Sequence, residues 1–305
     1  MSIATSSRKT YEQGWNCYLS FCTQIGHPAF PVTERTLCLF VTSLAKFLGY
    51  ASIRTYLAAV RFHNIELGFS INFDHLQQLH MLMRGIKRVK GKSVRPKRNP
   101  ITPELMKVLK SRLREASFIE QDKLMMWAAF TTAFFGFLRS SEFCSPTRFT
   151  FHPESTLLAK DVLLSENIAI LSIKVSKADP FRNGSQVRLA ASSSSVCPFR
   201  ALRKYLYFGH NPSLPLFKFS DGTFLTRQII SSTMKSLLQP VLGDTKGYSS
   251  HSFRIGAATT AAAADIPDWL IKALGRWSSN CFEQYIRTPN NLVHSVPSKL
   301  SATRF

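Results

Sequence analysis

The stretch Ser250-His251-Ser252-Phe253-Arg254-Ile255-Gly256, read with Leu274-Gly275-Arg276-Trp277 and Tyr285 further along, is where the fold and the chemistry of this chain can be read together. His251 and Arg254 stand three residues apart at the head of a helix, and residues so spaced share one helix face. Ser249 or Ser250 supplies a cap, and the first turn offers unpaired N–H groups to an anion. An arginine grips phosphate with a planar two-pronged donor set, and a histidine moves a proton near neutral pH. On spacing alone the pair reads equally as a capping histidine and a surface arginine. Tyr285, in Cys281-Phe282-Glu283-Gln284-Tyr285-Ile286-Arg287, reads as a half-buried core residue or as a nucleophile. A free tyrosine has a pKa near 10, so attack through its oxygen needs a base or nearby cations.

Two positions upstream could serve the same site. Arg139 follows the apolar run Phe134-Phe135-Gly136-Phe137-Leu138 and precedes Ser140-Ser141-Glu142. An unpaired buried guanidinium is too costly, so Arg139 is either a structural ion pair with Glu142 or a phosphate clamp held by that glutamate. Lys177 leaves a strand for a hairpin turn in Val175-Ser176-Lys177-Ala178-Asp179-Pro180-Phe181. It is either a solvated hairpin lysine or a mobile ammonium that can be delivered to a leaving oxygen. Lys174, three residues back, competes for that role.

The charge balance narrows the partners. Against 18 Asp+Glu stand 39 Lys+Arg, a formal net charge of +21 over 305 residues. Such an excess points to a polyanion, with nucleic acid first and an anionic membrane surface second. No apolar run reaches the eighteen or so residues of a membrane span, and the N-terminus lacks a signal peptide's apolar core. The six cysteines are scattered singly without zinc-ligand spacing, which reads as reduced thiols in an intracellular protein.

Helical spacing dominates residues 8–90. Tyr11, Trp15, Tyr18, Leu19 and Cys22 recur at three- and four-residue steps, Thr33 caps a second helix, and Ser52 opens a third that runs to His63. Leu76 to Ile86 makes a fourth, so residues 1–90 form a helical bundle. Between 84 and 98 the chain carries Arg84, Lys87, Arg88, Lys90, Lys92, Arg95, Lys97 and Arg98, and no acid occurs from His75 to Pro103. Gly91, Pro96 and Pro100 break any helix there, so 91–100 is a basic linker. It reads as a solvated connector, a nuclear-import signal or a DNA clamp. From 101 to 305 lies a second, mixed α+β domain. Thr102-Pro103-Glu104 starts a helix, and an apolar helix spans Lys123 to Phe137. A strand over 168–175 pairs with 186–189 across a turn, and helices follow over 198–207, 226–238, 250–264, 266–274 and 279–286.

Taken in order, Arg139, a hairpin lysine, His-x-x-Arg, Leu-Gly-Arg-Trp and a helix-borne tyrosine resemble the tyrosine recombinase family. Ser52–Gly68 looks like that family's core-binding helix pattern, and 101–290 looks like its catalytic domain. Ser176-Lys177-Ala178-Asp179-Pro180-Phe181-Arg182, Cys197-Pro198, His251-Ser252-Phe253-Arg254 and Leu274-Gly275-Arg276-Trp277-Ser278-Ser279 are most similar to recombinases of DIRS, Ngaro and Crypton mobile elements. The resemblance implies a mainly α fold, a core-binding bundle joined to a catalytic domain with a small antiparallel sheet. It implies that Tyr285 attacks a DNA phosphodiester to give a 3′-phosphotyrosine and a free 5′-hydroxyl. Arg139 and Arg254 would hold the non-bridging oxygens, Lys177 would protonate the leaving oxygen, and His251 would assist proton transfer. The family's usual His or Trp stands nine residues before the tyrosine, where this chain has Arg276. Trp277, one residue closer, is expected to pack and hydrogen-bond in its stead across a local bulge or one-residue shift, and Arg276 could be a further phosphate contact.

The same resemblance implies no metal or small-molecule cofactor, double-stranded DNA as partner, a homotetramer when synapsed, and a nuclear location (cytoplasmic in a prokaryote). Expected DNA contacts are Arg54, Arg61, Lys87, Arg88, Lys90, Lys92, Lys97, Arg98 and Arg276. Two other readings use the same residues: a type IB topoisomerase, and a non-cutting DNA-binding protein derived from a mobile element. The tail Thr288–Phe305 could reach a neighbouring protomer.

Overall fold

The computed structural model describes residues 5–69, 71–91, 98–177, 179, 181–287, 297 and 301. The chain divides into two compact units, Met1–Arg95 and Pro96–Phe305. Lys92, Arg95 and Lys97 lie outside the described residues, as does almost all of the tail beyond residue 287.

The first unit is four helices, α1 (Thr5–Gln24), α2 (Glu34–Leu44), α3 (Tyr50–Glu66) and α4 (Gln77–Lys90). The Thr33 hydroxyl accepts the Thr36 N–H and starts α2. α1 lies close against α3: a Cβ at Gly14 would come within 2.9 Å of the Ala59 Cβ, so only glycine permits that approach. Tyr18, Leu37, Phe40, Val41, Ile53 and Val60 are fully or almost fully buried between the helices. α4 has no side-chain cap of its own; the Glu34 carboxylate of α2 accepts the Leu79 N–H instead, at 3.0 Å. Where the sequence ended the fourth segment near Ile86, α4 continues to Lys90, with Lys87, Arg88 and Lys90 in its last turn, where the helix dipole favours cations.

The second unit is built round α6 (Glu120–Phe135), which is buried continuously from Met125 to Phe134, as a helix apolar on all sides should be. α8 (Pro198–Leu206) and α10 (His251–Ala263) pack on it, and α5 (Pro103–Glu115) packs on α9 (Arg227–Leu242). α7 is the single turn Ser140–Phe143. Three antiparallel strands, β1 (Val162–Leu164), β2 (Ile168–Ile173) and β3 (Ser185–Ala190), run in the order β1-β2-β3 with Leu171 opposite Val187. Ala169, Leu171, Ile173, Val187 and Leu189 turn one face of this sheet to the core. α11 (Asp268–Leu274) is followed by a 3₁₀ segment, Asn280–Gln284. The fold is thus mainly helical with a small antiparallel sheet. Among the described residues, no helix is long and apolar enough to cross a membrane, and all six cysteines are free thiols.

Candidate active site

The site lies where the C-termini of α6 and α11 meet the first turn of α10. Both helices end the same way. After α6, Phe137 takes a left-handed conformation (φ 49°), its N–H bonds the Phe134 carbonyl, and Leu138 reaches back to Ala133. After α11, Arg276 does the same (φ 54°), bonding Ala273, while Trp277 reaches back to Lys272. This is the Schellman closure, with a side-chain-bearing residue at the position glycine usually fills. Gly275 precedes the turn because its Cα faces the indole: a Cβ there would come within 1.7 Å of the Trp277 ring.

The carbonyls at these two helix ends converge on Arg254. It is 0% exposed; Nη1 donates to the Phe137 carbonyl, and Nη2 donates to the Gly275 carbonyl at 2.6 Å. Its guanidinium carbon lies 4.1 Å from the Trp277 ring centroid and 6.0 Å from that of Tyr285. Burial, followed by repulsion from Arg139, brings its pKa down to about 9; Glu142 opposes that fall and Arg276 adds to it. Arg254 therefore stays cationic at neutral pH, held by two helix ends rather than by a carboxylate.

Glu142, 1% exposed, ties the second layer together. Its Oε1 accepts from Arg139 Nη1 at 3.0 Å and the Ser176 hydroxyl at 2.9 Å, and its Oε2 accepts from the Arg139 N–H at 2.9 Å and Arg276 Nη2 at 2.8 Å. Burial pushes this carboxyl up, but Arg276, the Arg139 N–H, the Arg139 charge and Ser176 together hold it below the ordinary range. Arg139 Nη1 also donates to Ser176 at 3.0 Å. The ion pair foreseen for Arg139 is therefore present, and it aims the guanidinium toward the hairpin from which Lys177 projects. Lys177 is exposed at the turn directly after buried Ser176. Lys174 is committed elsewhere: it pairs with Asp161 at 2.6 Å and bonds the Pro153 and Thr156 carbonyls.

His251 and Tyr285 meet edge to face, ring centroids 5.1 Å apart. Burial first, then the charges of Arg254, Arg98, Arg139 and Arg227, bring the His251 pKa down to about 4. At neutral pH it is therefore an uncharged imidazole able to accept a proton. Tyr285 ends the 3₁₀ segment rather than riding an α-helix, which corrects the sequence reading; its carbonyl accepts from Thr259 Oγ1 at 3.1 Å, fixing it against α10. Trp277, 5% exposed, packs against Phe137, Phe282 and Tyr285. Trp277 Nε1, Arg254 Nε and Arg276 Nε are buried donors with no acceptor among the described residues. Buried donors are normally paired, and two of these three, on Trp277 and Arg254, belong to side chains packed beside Tyr285.

Arg276 sits beneath the site, its guanidinium occupied by Glu142 and by the Gly136 and Leu274 carbonyls. Arg98 is exposed and close enough to His251 to depress its pKa. Arg54, Arg61, Lys87 and Arg88 are exposed on the first unit, Arg61 over the Phe73 ring and Lys87 over Tyr50, while the Lys90 amine is bonded to the Ala45 carbonyl. Lys92 and Lys97 are outside the described residues. Sequence reasoning missed Ser176 as the link between Glu142 and Arg139, and Arg227, at the start of α9, as a charge acting on His251. Thr226 as the cap of α9 was a usable signal for Arg227; nothing local marked Ser176.

No family model matches this sequence, and neither does any curated protein. Solved structures do. XerH site-specific recombinase, bound to a palindromic difH substrate in a post-cleavage complex, is similar at TM-score 0.67 and 14% identity, over 96% of this chain and 79% of that one. The Tn1549 transposon integrase with transposon right-end DNA is similar at TM-score 0.67 and 13% identity, over 99% of this chain and 95% of that one. A lambda integrase dimer on a COC′ core site is similar at TM-score 0.58 and 14% identity, over 94% and 73%. The fold is that of the tyrosine recombinases and integrases.

Proposed function

We propose that this protein is a DNA strand-exchange enzyme that cuts and rejoins DNA through a covalent link to Tyr285. The observation that carries the reading is the convergence of His251, Trp277 and Arg254 on Tyr285, with Arg139 near enough for its charge to act on His251 and Arg254. The shared fold with DNA-bound recombinases supports it.

In this mechanism a phosphodiester enters above Arg254. The Arg254 Nε–H, the Trp277 indole and the Arg139 guanidinium donate to its non-bridging oxygens and offset the charge that builds there. Neutral His251 takes the phenolic proton as Tyr285 attacks phosphorus. The P–O5′ bond breaks, Lys177 protonates the departing 5′-oxygen, and a 3′-phosphotyrosine remains. The link conserves the bond energy, so attack by a second duplex's 5′-hydroxyl reverses the step and completes exchange.

The reading extends to a recombinase of DIRS, Ngaro or Crypton type, supported by the Lys177 hairpin and Leu-Gly-Arg-Trp motifs. It further includes a homotetramer on paired sites, and a nuclear location, supported by the basic run 84–98. The test is an SDS-resistant adduct assay on a pool of nicked duplexes carrying randomised sequence, with paired-site substrates alongside. Wild type is expected to form an adduct that Tyr285→Phe and Arg254→Ala cannot, with Arg254→Ala still binding DNA. Adducts without sequence preference would favour a topoisomerase. Salt-sensitive binding with no adduct on either substrate would favour a non-cutting DNA-binding protein.

A further inference from the structure

At the other end of α6 from the candidate active site lies a cavity of about 290 Å³ between α5, α6 and α8, and its lining is cationic. Lys110 and Arg114 of α5, Lys123 of α6, and Arg200 and Lys204 of α8 face it, with Trp127 in its wall. The one acid there, Glu120, is exposed and reaches Lys123 only at 3.8 Å. The cavity lies along the first half of α6 and the active site follows its C-terminus. At ~1.5 Å per residue, at least ~10 Å of helix separates them.

Several of these cations are held in place by the backbone. Lys110 donates to the Ser195 carbonyl, Arg200 to the Ser194 carbonyl, and Lys123 to the Arg114 carbonyl at 2.9 Å. The Lys110 ammonium stands 5.6 Å from the Trp127 ring centroid. Each of these carbonyls takes one donor from a group that has several. Burial, then the charges of Arg114, Lys204 and Arg200, lower the pKa of Lys110. Five cations round one concavity, three of them held by backbone carbonyls, repel each other, and a bound anion converts that repulsion into attraction.

We propose that this cavity binds a compact, multiply charged phosphate ligand, a polyphosphate group in a small molecule, independently of the strand-exchange site. Its size admits a few phosphates and no duplex, and five donors suit several negative charges rather than one. Residues 288–305 contain no aspartate or glutamate to complement this charge.

The test uses the full chain and inorganic tripolyphosphate in calorimetric titration at physiological salt. The expected result is one equivalent bound to wild type. Lys110→Ala/Arg200→Ala should weaken binding at least about tenfold, the scale of losing one charge-assisted hydrogen bond. Lys160→Ala/Lys246→Ala removes the same charge at exposed positions away from the cavity and should bind like wild type. Should the double cavity variant fold poorly, exposed Lys204→Glu supplies the same test at the rim. Equal weakening in cavity and control variants would mean diffuse attraction to the overall charge and would overturn the site. So would equal loss of duplex binding in the cavity variants, which would make the cavity a DNA-backbone contact. Because the readout is binding of tripolyphosphate, failure here leaves Tyr285 adduct formation unaffected.

Discussion

Replacing Arg276 with alanine and, separately, with glycine divides its two contributions. The side chain pairs with a carboxylate that is 1% exposed and is itself only 13% exposed. Removing one partner of a buried pair costs about 3–5 kcal/mol. Arg139 and Ser176 keep Glu142 bonded, so the lower end, ~3 kcal/mol, applies to Arg276→Ala. Alanine keeps a Cβ at φ 54°, where a non-glycine residue costs about 1–2 kcal/mol. Glycine loses the same ion pair without that cost, so Arg276→Gly should be about 1 kcal/mol more stable than Arg276→Ala. Urea unfolding followed by tryptophan emission measures both. A glycine variant no more stable than the alanine variant would refute the conformational argument. An alanine variant within about 0.5 kcal/mol of wild type would refute the claim that Arg276 supports Glu142.

Gly275→Ala forces a Cβ into an indole already bounded by Phe137, Phe282 and Tyr285; it should cost about 1–3 kcal/mol and eliminate adduct formation, read in the same melts and on denaturing gels. Lys177→Ala should slow adduct formation by about 10²-fold or more, the scale of general-acid catalysis, while Lys174→Ala changes it only a few-fold; single-turnover rates with a 5′-thiol leaving group should rescue Lys177→Ala. His251 has a folded pKa near 4 against an ordinary 6.5, so between those values the unfolded chain binds the extra proton. Its contribution to stability is complete above pH 6.5 and is lost as pH falls toward 4. His251→Gln should flatten that slope in melts across the window, and wild-type cleavage should show no His251 inflection between pH 6 and 8.

Much of the fold was legible because its helices carry their signals locally. Thr33 and Thr102 cap helices where the sequence places them, and α6 is apolar all round because it is buried all round. β1 escaped because three apolar residues, Val162-Leu163-Leu164, have no readable period. Tyr285 was taken for helix-borne because a 3₁₀ segment has nearly the same spacing as an α-helix over five residues. The sequence named Arg139, His251, Arg254, Trp277 and Tyr285 as one set, and the structure packs the last four together. Their support was not legible: Glu142 and Arg276 are 134 residues apart, and Ser176 reaches Glu142 from a strand end. Nor does any propensity foretell an arginine in the left-handed conformation, since the surrounding packing imposes it.

The way residues 99–101 lie on α10 has a thermodynamic consequence. The Asn99 N–H bonds the Gly247 carbonyl, the Ile101 N–H bonds the Ser252 carbonyl, and Gly256 comes so close that a Cβ would lie 1.8 Å from the Ile101 oxygen. The chain just past the basic run therefore shares its order with the turn that carries His251 and Arg254. By linkage, whatever restrains residue 98 and its neighbours lowers the entropy still to be lost by that turn when a phosphate arrives. On the proposed mechanism, a phosphate gripped by Arg254 would favour the ordered state of residues 99–101 by the same coupling free energy. Under the proposed function, an anion held at residue 98 and a phosphate held at Arg254 would then be two readings of one coupling free energy, measurable as a ratio of affinities.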